Sequence, residues 1–151
     1  MFVQFLLGSE SDKEFASKIT QVLDEFKVKY NITVVSAHKA PEKVLQVINK
    51  LNKSTEPLCY ITIAGRSNGL SGVTAGSAIH PVIACPPFTS KEDYLINIHS
   101  TLQMPSDTPV LAVMDPKNAA LAAIRILALQ DKKLREKIAL KIKKVKASFK
   151  I

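Results

Sequence analysis

Val3-Gln4-Phe5-Leu6-Leu7-Gly8-Ser9-Glu10-Ser11-Asp12 passes within ten residues from an apolar run, through a polar turn, into a segment with helical spacing. An apolar run of this length without alternation reads as a strand covered on both faces, the signature of a parallel sheet. Ser11-Asp12-Lys13-Glu14 has the pattern of a capping box and predicts a helix start there. The strand–turn–helix unit then recurs. Further strands are expected at Thr33–Val35, Leu58–Ile63, Val82–Ala84 and Val110–Met114. Helices are expected near 12–28, 42–53, 69–78, 92–101 and 117–130. Pro41 suits a first helical turn, where its missing amide proton is not needed. The expected fold class is α/β, a single-domain three-layer open parallel sheet of the flavodoxin or Rossmann kind, with an extended C-terminal helix.

Bulk composition agrees with one domain. The chain has 151 residues, 46% hydrophobic and 23% charged, a globular balance. No apolar run approaches the roughly 20 residues of a membrane span. The start Met-Phe-Val-Gln-Phe-Leu-Leu-Gly lacks the basic segment of a secretory signal. Cys59 and Cys85 both lie in apolar strand-like runs, where buried free thiols are expected. A cytoplasmic location is the expectation that follows. Neither a Cys-x-x-Cys pair nor a histidine cluster is present, so no metal site is expected.

The net charge of +8 is localised. Residues 131–151 hold nine Lys or Arg against two carboxylates, a charge of +7, which leaves residues 1–130 at +1. Leu134, Ile138, Ile142, Val145 and Phe149 form one apolar seam at helical spacing, opposite the lysines. The expected organisation is therefore an α/β body over 1–130 and a basic amphipathic helix over 131–151 within the same domain. Nucleic-acid binding would call for a basic body or interleaved aromatics, and neither is present. No nucleic acid and no membrane is expected as partner.

In an open parallel sheet, ligands sit outside the carboxyl ends of the strands. Three loops lie there. In the first, Gly8-Ser9-Glu10-Ser11-Asp12, helix N-terminal amides and the Ser9 and Ser11 hydroxyls favour an anion, while Asp12 suits a ribose hydroxyl pair. Plain helix capping by Ser11 and Asp12 is the alternative, and the two are compatible. The loop is neither a Walker loop nor Gly-x-Gly-x-x-Gly. The second, Ser36-Ala37-His38-Lys39-Ala40-Pro41, offers an imidazole able to move a proton near neutral pH and a lysine able to hold an anion. A hydrogen-bonded loop histidine and a solvated lysine are the structural alternatives. The third, Ala64 to Gly72, holds Gly65, Gly69 and Gly72, three of the five glycines, beside Arg66. Such clustering lets backbone amides approach a ligand, and a tight turn with a surface arginine is the alternative. His80 and His99 have no such setting and are read as structural. No nucleophile elbow or paired carboxylate appears.

Taken in order, Gly8-Ser9-Glu10-Ser11-Asp12, Ser36-Ala37-His38-Lys39 and Ala64-Gly65-Arg66-Ser67-Asn68-Gly69-Leu70 resemble the PurE family. Pro81 to Pro87, Leu102-Gln103-Met104-Pro105 and Pro116-Lys117-Asn118-Ala119-Ala120 continue the likeness over about residues 3–130. Lys39 and the Arg66-Ser67-Asn68 run are similar to the class II branch, the direct carboxylases, and not to the mutase branch with its Ser-Ala-His-Arg. The resemblance implies carboxylation of 5-aminoimidazole ribonucleotide by CO2 in purine biosynthesis, with no ATP, biotin, metal or other cofactor. It implies His38 and Lys39 as catalytic groups, with Ser9 and Ser11 at the phosphate and Asp12 at the ribose. Ser36, Ala37, Lys39, Gly65, Arg66, Ser67, Gly69 and Leu70 would complete the substrate site. It also implies a homo-octamer with sites shared between chains. The rival readings are the N5-carboxyaminoimidazole ribonucleotide mutase and, in another class, a non-enzymatic flavodoxin-like binding module. A receiver-type module needs a carboxylate at a strand end, where this chain has Ser-Ala-His and Ala-Gly-Arg.

Overall fold

The computed structural model describes residues 1–149, so the last two positions of the expected 131–151 helix lie outside the described residues. Five parallel strands form one sheet: β1 (Phe2–Leu7), β2 (Lys29–Val34), β3 (Leu58–Ile63), β4 (Val82–Ala84) and β5 (Leu111–Ala112). Their order across the sheet is β2-β1-β3-β4-β5, the doubly wound flavodoxin-like order. Helices α1 (Asp12–Phe26), α2 (Pro41–Leu51), α3 (Gly69–Ala75), α4 (Lys91–Leu102), α5 (Pro116–Leu127) and α6 (Lys132–Ala147) alternate with and follow the strands.

The absence of alternation in β1 and β3 has the expected cause. Phe5 and Leu7 of β1, with Ile61 and Ile63 of β3, pack against Ile19, Leu23, Ile124 and Leu127 from α1 and α5. Leu6 and Tyr60 point the other way, into a second core with Val44, Ile48 and Leu70. Both faces are covered, so successive residues are buried alike. The edge strand β2 departs from expectation. It begins at Lys29, not Thr33, and only partly buries its residues, with Lys29, Asn31 and Ile32 exposed. A strand with one free edge need not be apolar throughout, which hid its first half. At the opposite edge β5 is two residues long, shorter than the expected Val110–Met114.

The capping box is not formed. Ser11 has helical backbone angles and its side chain caps nothing; its hydroxyl lies 3.0 Å from the Ser9 hydroxyl. Helix α1 ends at Lys27, which takes a left-handed conformation (φ 58°) while Val28 N–H returns to the Leu23 carbonyl at 2.9 Å. Pro41 stands at the start of α2, as its chemistry predicts.

Helix α6 is fastened at its beginning and free at its end. Leu134 is buried against the α1/α5 core and Ile138 packs on its edge. The Lys137 ammonium donates to the Phe26 carbonyl at 2.8 Å, satisfying a group at the end of α1. Beyond that point Ile142, Val145 and Phe149 stand exposed.

Candidate functional site

Strand β1 is flanked by β2 on one side and β3 on the other, so the chain winds away from it in both directions. The loops leaving these three strands open a crevice at that switch point. The crevice is a cleft of about 780 Å³. All twelve residues singled out from the sequence line it: Ser9, Ser11 and Asp12 on one wall, Ser36, Ala37, His38 and Lys39 on the second, and Gly65, Arg66, Ser67, Gly69 and Leu70 on the third. Gly72, grouped with the other loop glycines by sequence, lies away from it, with Met104 Sδ 3.4 Å from where its Cβ would be. His80 is tied to the Leu51 carbonyl at 3.2 Å and His99 also lies outside the cleft.

On the first wall, the Asp12 carboxylate turns back and accepts the Ser9 amide N–H at 2.9 Å. Burial raises its pKa above the ordinary value, and the N–H groups of Ser9 and Gly8 oppose that rise. The two serine hydroxyls form a pair beside it. Space at Gly8 is tight: a Cβ there would lie 3.2 Å from the Ala64 Cβ of the neighbouring strand's exit.

On the second wall, residues 36–40 make a tight turn closed by Ala40 N–H to the Ser36 carbonyl at 2.9 Å, with Lys39 N–H on the Ser36 hydroxyl at 3.3 Å. This turn projects His38 across the cleft mouth. Its Nε2 lies 3.4 Å from the Ser67 hydroxyl of the third wall. The ring rests on Gly69, where a Cβ would come within 2.9 Å of both Cε1 and Nε2.

The third wall behaves differently from the sequence expectation. None of its glycines has a positive φ; the left-handed residues are Arg66 (φ 59°) and Asn68 (φ 39°). The glycines are there for what they lack, a Cβ that would strike His38 at Gly69 or Asn97 at Gly65.

Sequence reading missed a fourth wall. The β4–α4 loop and α4 bring Pro87, Phe88, Thr89, Asp93 and Asn97 to the cleft, and α1 adds Phe15 and Lys18. Phe88 packs edge-on against Tyr94 and Phe15, with ring centroids 5.1 and 6.5 Å apart. Only the Pro86-Pro87 pair carried any signal in the sequence, as part of a motif. Among the described residues no three His, Cys, Asp or Glu side chains gather as a metal site would require, and no helix is long and apolar enough to cross a membrane.

The arrangement faces a wall chemically suited to an anion and to hydroxyls with an accessible imidazole, a lysine and an arginine. Comparison with known proteins points the same way. The family model described as AIR carboxylase matches residues 2–148. A phosphoribosylaminoimidazole carboxylase of Treponema denticola is 43% identical over 90% of this chain and 85% of its own length. One from Archaeoglobus fulgidus is 41% identical over 88% and 72%. An N5-carboxyaminoimidazole ribonucleotide mutase of Methanocaldococcus jannaschii is 40% identical over 88% and 83%. The crystal structure of Treponema denticola PurE superposes with a TM-score of 0.83 at 40% identity, covering 99% of both chains. With the fold, the loops and nearly the whole length in agreement, the chain belongs to the AIR carboxylase family.

Proposed function

We propose that this chain carboxylates 5-aminoimidazole ribonucleotide with CO2, giving the 4-carboxy ribonucleotide of purine biosynthesis, without ATP or another cofactor. The observation that carries the reading is the seating of the His38 imidazole between the Ser67 hydroxyl and Gly69, opposite the Ser9-Ser11-Asp12 wall of the same cleft. Ser9 and Ser11 hold the 5′-phosphate at the start of α1, where the helix dipole favours an anion. Asp12 accepts from the ribose hydroxyls.

The aminoimidazole ring carbon beside the amino-bearing carbon is electron-rich and attacks CO2, forming the carbon–carbon bond. The resulting tetrahedral carbon still bears its hydrogen. His38 removes that proton, the pair returns to the ring, and aromaticity is restored. Lys39 and the loop amides of the third wall other than that of Arg66, which Asn97 holds, stabilise the developing carboxylate. Gly65, Arg66 and Ser67 shape the small space in which CO2 is held by position.

The mutase reading is supported by two relatives of that name, 40% and 34% identical. Lys39 and Arg66-Ser67-Asn68, which resemble the carboxylase branch, favour direct carboxylation. Supplying carbon-14 bicarbonate with the ribonucleotide, with and without ATP, decides between them. Label incorporation independent of ATP supports carboxylation, and turnover of only the N5-carboxy ribonucleotide overturns it. In the same assay, His38→Asn is expected to lose about 10²-fold or more in turnover while still binding nucleotide.

A homo-oligomer fits the exposed end of the α6 seam, where Ile142, Val145 and Phe149 lie open to a neighbour; an octamer is what the family resemblance implies. Light scattering on a chain truncated after Gln130 tests this, and unchanged assembly counts against it. A cytoplasmic location accords with two buried free thiols.

A further inference from the structure

Most helices are fastened by an apolar face, but α4 is not. Its only buried residues are Asn97 and Thr101, while Leu95, Ile96 and Leu102 stand exposed. Residues 97, 100 and 101 lie at i, i+3 and i+4 and so share one face. That polar face grips the loop between β3 and α3. Asn97 Oδ1 accepts the Arg66 amide N–H at 2.6 Å, and its Nδ2 donates to the Pro87 carbonyl at 2.6 Å. The Ser100 hydroxyl donates to the Arg66 carbonyl at 2.5 Å, and Asn68 Nδ2 donates to the Thr101 hydroxyl at 2.6 Å. Asn97 is 1% exposed, so water cannot replace these partners.

The gripped residues are the ones that need holding. Arg66 and Asn68 both adopt left-handed backbone angles without being glycine, conformations that persist only where surroundings impose them. Between them sits Ser67, whose hydroxyl meets His38. Gly65 lets the loop lie flush on the amide, since a Cβ there would come 3.1 Å from Asn97 Nδ2.

We propose that Asn97 is a positioning residue of the site, clasping the Arg66 backbone to Pro87 and thereby setting the loop that carries Arg66 and Ser67 against the His38 imidazole. The inference rests on the carboxylation reading above. The Ser9-Ser11-Asp12 wall has no hydrogen bond to α4, so loss of the clasp acts on the chemical step and not on nucleotide binding.

The test is steady-state carboxylation by the full chain carrying Asn97→Leu or Asn97→Asp. The leucine variant removes both bonds while keeping the branched shape of the side chain, and kcat is expected to fall about 10²-fold while KM for the ribonucleotide moves about twofold or less. The aspartate variant keeps an acceptor for the Arg66 amide and recovers part of that loss. It can donate to the Pro87 carbonyl only when protonated, so its kcat relative to the unsubstituted chain rises as pH is lowered. Unchanged kcat in a folded leucine variant overturns the inference, as does an aspartate variant with a flat relative pH profile or no recovery. If the unsubstituted chain incorporates no label, the functional reading falls and the clasp is tested by melting alone. Gly65→Ala should then lower Tm more in the unsubstituted chain than beside Asn97→Ser, and equal shifts overturn it.

Discussion

Gly69→Ala separates the imidazole's position from the stability of the fold. Gly69 is the first residue of α3, and no described glycine has a positive φ, so alanine is permitted by the backbone. The added Cβ would stand 2.9 Å from Cε1 and Nε2 of His38. Ordinary carbon contacts lie at about 3.5–4.0 Å, so the ring must retreat by roughly 0.6–1 Å. His38 is exposed and can move without disturbing the core. Its contact with the Ser67 hydroxyl, already 3.4 Å, is then lost. A displacement of this size at a reacting group costs about 10²-fold in rate. Alanine at a position whose backbone already suits it contributes up to about 0.4–1 kcal/mol by restricting the unfolded chain, which in a chain of this size raises Tm by about 1–4 °C. Label incorporation and thermal melting on the same preparation should therefore move in opposite directions. A folded variant with full turnover would show that the ring's seat on Gly69 has no part in the chemistry. A loss of rate matched by a fall in Tm would show that alanine disrupts α3 instead.

Three further outcomes follow from burial. Asp12 has a raised pKa through desolvation; its protonated form is favoured in the folded chain, so it contributes stability at low pH that is lost as pH rises from the ordinary value of 3.8 through its elevated one. Asp12→Asn should flatten that part of the pH–stability curve, read by melting across pH, while weakening ribonucleotide affinity; an unaltered curve would contradict it. The Tyr60 hydroxyl is buried with no partner among the described residues, and burial pushes its pKa up to about 12. Tyr60→Phe should therefore be neutral or stabilising by about 1 kcal/mol in a denaturant titration, not destabilising. The Cys59 and Cys85 thiols are both pushed up to about 12, by burial and, for Cys85, also by the Asp115 carboxylate. A disulfide-exchange reagent at pH 8 should find neither in the native chain and both in denaturant; ready native labelling would contradict their burial.

What could be read in advance, and what could not, divides along sequence distance. Val3–Leu7 and Leu58–Ile63 announced themselves because both faces of β1 and β3 are covered, and that leaves a mark in the residues themselves. His38, Arg66 and the loop glycines were legible because open α/β sheets place their ligands at strand exits, so a polar loop after an apolar run is informative by position. The reason for the glycines was not legible. Gly65 and Gly69 look like conformational devices in sequence, yet their φ values are ordinary. Their necessity comes from Asn97, 32 positions on, and His38, 31 positions back. The failed capping box has the same origin: Ser11 obeys the local rule in type and spacing, but its hydroxyl pairs with Ser9 at the cleft. Helix α4 is the extreme case. A polar stripe at positions 97, 100 and 101 beside exposed Leu95, Ile96 and Leu102 reads as a weakly amphipathic surface helix with its faces reversed. Only the left-handed backbone at Arg66 and Asn68 explains why polar side chains face inward: they meet peptide groups that the turn leaves without partners. The groups proposed to do the chemistry stand on loops that sequence displays, and the groups proposed to hold them in place come from an element whose purpose becomes visible only when the Arg66 peptide groups are traced to their partners.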